Sequence, residues 1–150
     1  IPFDAAAPAE RYALDTDGQT LEIGAVSMGN PHAVVTVDDL GAPALYRLGP
    51  ALTGHPRFAQ GANAGFARIV DRGHLRLRVH ERGSGWTRAC GTGACAAMAV
   101  LRLRGEVDDS VQVDLPGGRL QIDWAGPGHT LWMTGPAAFA FEGEWLGGAH

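Results

Sequence analysis

The sequence predicts an α+β domain in which a strongly curved, mostly antiparallel sheet wraps around one central helix. Three observations carry that prediction. The 22 glycines and 9 prolines cut the chain into short segments, as in turn-rich β structure. Residues 74–81 alternate, with Leu75, Leu77 and Val79 on one side and Arg76, Arg78 and His80 on the other, as a half-buried strand requires. Residues 92–104 alone read as helix, and their first half is small and apolar all round. A helix without a polar face must be buried, and small side chains let strands approach it closely.

In chain order, residues 21–27 and 33–37 read as strands separated by the turn Met28-Gly29-Asn30-Pro31-His32. Gly61-Ala62-Asn63-Ala64-Gly65-Phe66 reads as a loop. The helix ends at Gly105, a suitable C-cap, with Arg102 and Arg104 well placed against the dipole of its last turn. Residues 111–115 and 119–124 flank Pro116-Gly117-Gly118 as a hairpin. Residues 130–134 and 139–145 complete the strand candidates.

With 150 residues, 45% of them hydrophobic and 19% charged, the chain fits one globular domain. The net charge of −4 argues against a nucleic-acid or anionic-membrane partner. No apolar run reaches bilayer-spanning length and no signal-peptide pattern opens the chain, so a cytoplasmic location is expected. The two cysteines, Cys90 and Cys95, match neither a zinc signature nor a secreted disulfide framework. All 12 basic residues are arginine, so no side chain here can form a Schiff base with pyridoxal phosphate or a carbonyl substrate.

The stretch Glu81-Arg82-Gly83-Ser84-Gly85-Trp86-Thr87-Arg88-Ala89-Cys90-Gly91-Thr92-Gly93 carries the most chemistry. It puts Cys90 at the mouth of the buried helix, where free amides attract anions and lower a thiol's pKa. Arg82 is expected to add to that lowering and Glu81 to oppose it. Gly91 and Gly93 would let a carboxylate approach the amides. A free cysteine is more often a small buried hydrophobe, and for Cys95, among alanines, that reading is preferred. Asn30 and His32 in their turn, and Asn63 in its loop, would ordinarily be turn formers or surface residues.

Taken in order, Ser-Met-Gly-Asn-Pro-His, Asn-Ala-Gly-Phe, Glu-Arg-Gly, Ala-Cys-Gly-Thr-Gly-Ala-Cys-Ala and the later Leu-Pro-Gly-Gly and Trp132-Met133-Thr134-Gly135-Pro136-Ala137 resemble the diaminopimelate epimerase family over essentially the whole chain. The resemblance implies two pseudo-symmetric halves holding a substrate between them, with one cysteine from each half and neither cofactor nor metal. It makes Cys90 the acid/base of the C-terminal half. It makes Gly91 and Thr92 the α-carboxylate cradle, and Asn30, Asn63, Glu81 and Arg82 substrate contacts. It makes His32 and Glu81 the groups that tune the thiols, Glu81 serving Cys90 and His32 the partner cysteine. The expected partners are diaminopimelate, an N-terminal half bearing the second cysteine, and a second copy in a homodimer.

Residues 1–135 would then form the half-domain. Residues 136–150 would either complete the other half's sheet or close this one. Trp86 departs from the family pattern, where many members carry Glu, and puts loop packing in question more than chemistry. Four alternatives stay open: a proline racemase-like enzyme, a PhzF-type isomerase, a non-catalytic carboxylate-binding half-domain, and a Cys-His hydrolase. Asn30, Asn63 and Arg82 favour a long substrate with a distal amino-acid group.

Overall fold

The computed structural model describes residues 3–144. Nine strands and two helices follow in the order β1 (Tyr12–Thr16), β2 (Gln19–Ser27), β3 (Pro31–Thr36), α1 (Leu45–Thr53), β4 (Asn63–Asp71), β5 (His74–Glu81), β6 (Gly85–Thr87), α2 (Gly91–Leu103), β7 (Ser110–Leu115), β8 (Gly118–Asp123) and β9 (Trp132–Thr134). All nine strands belong to one sheet, ordered β1-β2-β3-β4-β5-β7-β8-β9 with β6 paired to β5. Among the described residues six of its eight pairings are antiparallel. The exceptions, β3 with β4 and β5 with β7, are parallel. Each needs a crossover, and the helices supply them.

α2 touches β2, β3, β4, β5 and β8, so the sheet bends around it as expected. Residues 93–101 are all buried. Their smallness lets strands come close: a Cβ on Gly24 of β2 would lie 2.3 Å from Val100 Cγ1. The helix starts and stops one residue earlier than the sequence suggests. It ends in a Schellman turn, with the Gly105 amide bonding Arg102 O, the Glu106 amide bonding Leu101 O, and Gly105 at φ 70°.

The expectation of a single helix is corrected by α1. Leu45, Leu48 and Leu52 form its buried stripe, but Gly49-Pro50 in its middle reads locally as a breaker. Packing explains the glycine: a Cβ there would meet Trp86 Cζ2 at 2.8 Å and His80 Cβ at 3.0 Å. α1 lies on the face of the sheet opposite α2. Strand alternation therefore builds two cores. Val34, Ala67, Leu75, Leu77, Val79 and Ile122 point to α2, and Leu14, Ile23, Ala33, Val35, Ala64 and Phe66 point to the α1 side.

Two further readings are corrected. Asn63 to Phe66 are the start of strand β4, not a loop, because β3 and β5 pair with them from both sides. No strand forms over residues 139–144, where Phe139 and Phe141 are 99% and 87% exposed. Among the described residues no strand pairs with that segment, and Trp145 lies outside them. Strands β1 and β6 were not expected; they are short, and each is one arm of a hairpin. The hairpin over Pro116-Gly117-Gly118 forms as expected between β7 and β8.

Candidate active site

The parallel register of β3 on β4 sets His32 opposite Asn63. The β4–β5 register, with Ala64 opposite His80, brings Asn63 beside Glu81. All three belong to the face that carries Val34, Ala67 and Val79, so they look towards α2. The helix begins at this same end, with Cys90 as its N-cap in extended conformation. Residues from His32 to Cys90, far apart in sequence, thus meet at one helix mouth.

A polar chain links them. His32 Nε2 lies 3.1 Å from Asn30 Oδ1, Asn30 Nδ2 donates to Thr92 Oγ1 at 3.4 Å, and Thr92 Oγ1 lies 3.7 Å from Cys90 Sγ. With its amide nitrogen turned to Thr92, Asn30 accepts from His32 through oxygen, so the imidazole proton sits on Nε2. His32 Nδ1 is then a buried lone pair without a hydrogen-bond partner among the described residues. Burial holds His32 down at about 4 against the opposing pull of the Glu81 charge.

The other side of the mouth is tied to the β5–β6 hairpin. The Arg82 amide donates to Asn63 Oδ1 at 2.9 Å, which accounts for a buried asparagine in a strand. The Arg82 guanidinium donates to the Gln60 carbonyl. Thr87 Oγ1 donates to Glu81 Oε1 at 2.5 Å.

The expectation of a lowered Cys90 thiol is not met. Burial pushes it up, and the nearby Glu81 charge adds to that; the Thr92 hydroxyl and the Gly93 amide work the other way. Arg82 is turned to Gln60 and is not among the main influences on the thiol. Cys95 is also buried and its thiol is pushed up by the same cause, in keeping with a core role. Among the described residues no imidazole hydrogen-bonds Cys90, which leaves a Cys-His hydrolase without its base.

Gly91 and Gly93 keep the mouth narrow. A Cβ on Gly93 would lie 2.9 Å from Val79 Cγ2 and 3.1 Å from Cys90 Sγ. One on Gly91 would lie 3.0 Å from Met133 Sδ, so the half-exposed Met133 of β9 stands over the first turn. Behind the site the Gly117 amide bonds Arg88 O at 2.6 Å, bracing the loop two residues before Cys90. Sequence reasoning missed Thr87, Met133 and Gly117. Thr87 carried a faint signal as the residue closing a glycine-punctuated hairpin after Glu81, whereas contacts from β9 and the β7–β8 turn have no local signature.

The sheet and its buried helix define a known fold. Solved structures of a hydroxyproline epimerase from Agrobacterium vitis (23% identity, TM-score 0.58, 82% of this chain and 44% of that one) and of a probable proline racemase from Agrobacterium radiobacter K84 (20% identity, TM-score 0.58, 75% of this chain and 40% of that one) share it. At those identities the likeness speaks for fold alone. Sequence goes further: the family model for diaminopimelate epimerase matches residues 24–140, and the chain belongs to that family. It is 56% identical over 144 residues to the diaminopimelate epimerases of Pseudomonas syringae pv. tomato and Alkalilimnicola ehrlichii. The match takes in 96% of this chain and 52% of each relative, so the chain spans about half the length of the curated relatives it matches. No helix among the described residues is long and apolar enough to cross a membrane.

Proposed function

We propose that this chain is the C-terminal half of a cofactor-independent epimerase that interconverts LL- and meso-diaminopimelate, in the supply of lysine and peptidoglycan precursors, and that Cys90 is one of its two catalytic thiols. The supporting observation is the helix mouth itself, where Cys90 meets Glu81 and the His32–Asn30–Thr92 chain, with Asn63 in register beside His32. Inverting a stereocentre needs a base on one face of the carbon and an acid on the other. A buried thiol raised by its surroundings rests protonated at neutral pH, which suits Cys90 to give a proton to the carbanion while a thiolate of the other half removes one. The roles exchange in the reverse direction.

In this reading the amides of Gly91 and Thr92 receive the α-carboxylate and stabilise the charge that builds on it. Asn30, Asn63, Glu81 and Arg82 hold the remainder of the substrate, and His32 serves the thiol of the other half. Residues 136–150 belong to that half's sheet. The exposed rings of Phe139 and Phe141 support this, since they have no core to enter here.

The test is a chiral assay of the full-length enzyme on diaminopimelate, with hydroxyproline as competitor substrate. Cys90→Ala is expected to cost on the order of 10²- to 10⁴-fold or more in kcat, and Cys95→Ala only what loosened packing costs. The 150-residue chain alone is expected to turn nothing over. Epimerisation by this chain alone, or equal losses from the two cysteine substitutions, would overturn the assignment. Diaminopimelate binding without turnover in the full-length protein would favour a carboxylate-binding module instead.

A further inference from the structure

We infer that Thr87 is a positioning residue of this site: its hydroxyl fixes the Glu81 carboxylate against Cys90. The inference rests on the reading of Cys90 and Glu81 as a working pair and adds to it the group that holds the pair in register.

The geometry begins with the β5–β6 hairpin, in which Val79 faces Thr87, His80 faces Trp86 and Glu81 faces Gly85. Alternation divides these residues between the two sides of the sheet. Val79, Glu81 and Thr87 point inward to α2, and His80 and Trp86 point outward to α1. Glu81 and Thr87 are therefore diagonal neighbours on one face, within reach of each other. The Thr87 hydroxyl donates to Glu81 Oε1 at 2.5 Å, the shortened distance of a hydrogen bond to a charged acceptor. Below them Val79 abuts Gly93, and Gly93 abuts the Cys90 sulfur, so the same hairpin supports the thiol from beneath.

The outward side explains why a three-residue strand can hold such a position. Trp86 is clamped by Phe66 (ring centroids 5.6 Å apart), by His80 (5.3 Å) and by the Arg78 guanidinium 4.6 Å above its ring. Gly49 of α1 leaves just enough room for its edge. Thr53 of the same helix meets His80 Nδ1 at 2.8 Å. The strand is anchored on one face so that Thr87 stays fixed on the other. Half-buried Glu81 could otherwise turn to water.

Among the described residues the titratable groups that bear on Cys90 are Glu81 of β5, Cys95 of α2 and, through Asn30 and Thr92, His32 of β3. Thr87 hydrogen-bonds the first, and among the described residues its hydroxyl bonds none of the others.

The experiment compares wild type, Thr87→Val and Thr87→Ser. On the 150-residue chain, iodoacetamide labelling is followed against pH with peptide mapping of the two cysteines. In Thr87→Val the carboxylate is released to solvent, so the Cys90 labelling midpoint is expected to fall by half a pH unit or more. Cys95 should stay where it is, and Thr87→Ser should restore the wild-type profile. In the full-length enzyme Thr87→Val is expected to lower kcat tenfold or more with KM within threefold, and Thr87→Ser to remain within threefold of wild type. An unchanged or raised Cys90 midpoint, a parallel shift of Cys95, or failure of serine to rescue would overturn the inference. Should the valine variant not fold, Thr87→Ala is read against the same outcomes. A wild-type enzyme inactive on diaminopimelate would sink the proposed function, yet the labelling arm would still decide the role of Thr87.

Discussion

The two faces of the sheet solve the same packing problem with different residues. On the inner face α2 is a run of glycine, alanine and other small residues, buried from Gly93 to Leu101, and the strands close in on it until Gly24 touches Val100. On the outer face α1 buries only a leucine stripe and is broken in composition by Gly49-Pro50. Four of the groups proposed for chemistry, Cys90, Glu81, Asn63 and His32, sit on the inner face, whereas the Arg82 guanidinium turns to Gln60. The outer face holds aromatic and cationic anchors, Trp86, Tyr46 and Arg78. One face is built for close approach and the other for support, and each should fail in its own way.

The largest difference should appear in acid. His32 on the inner face has a folded pKa of about 4 against the ordinary 6.5. The unfolded chain therefore takes up the proton first. Stability from a neutral His32 is complete above about pH 6.5, declines as pH falls through 6.5 towards 4, and is spent below that. Between pH 7 and 4 this amounts to roughly 3 kcal/mol. His80 on the outer face is also lowered by burial, but it is half-exposed and bonded to Thr53. Urea unfolding at pH 7 and pH 4 should show His32→Gln flattening most of the pH dependence and His80→Gln little of it. The reverse ranking would break the distinction between the faces.

Next in size is Gly24→Ala, which drives a methyl into Val100 and should cost about 1–3 kcal/mol. Val100→Ala combined with it should recover part of that loss, and a purely additive double mutant would show that the contact is not what constrains β2. Smallest is Gly49→Ala. Helix propensity gains up to about 1 kcal/mol, but the clash with Trp86 and His80 should outweigh it and leave a net loss of about 1 kcal/mol. A stabilised Gly49→Ala variant would mean that the outer face has slack.

How much was legible in the sequence follows the same division. α2 was readable because its burial is written into its composition, and its Schellman ending because Gly105 follows the last turn. β5 was readable from alternation alone. α1 was not, since Gly49-Pro50 signals a break locally and the reason for the glycine, Trp86, lies 37 residues away. The start of β4 reads as a loop because Asn63, Ala64 and Gly65 have low strand propensity; pairing on both edges overrides it. The candidate site residues come from motifs, whereas the Thr87–Glu81 bond and the upward push on Cys90 have no motif. Both depend on how deeply the hairpin is sunk, which residue order does not state.

The parallel joining of β3 to β4 has a kinetic consequence. His32 and Asn63 become neighbours only after the chain has travelled through α1 and returned. Closing that excursion costs loop entropy before any contact rewards it. The β1–β2 and β7–β8 hairpins can zip locally, whereas the junction that brings His32 to Asn63 must wait for the crossover. We therefore expect the pocket to be the last part of the chain to mature during refolding. Pulsed hydrogen exchange should find the amides of β3 and β4 protected after those of β7 and β8.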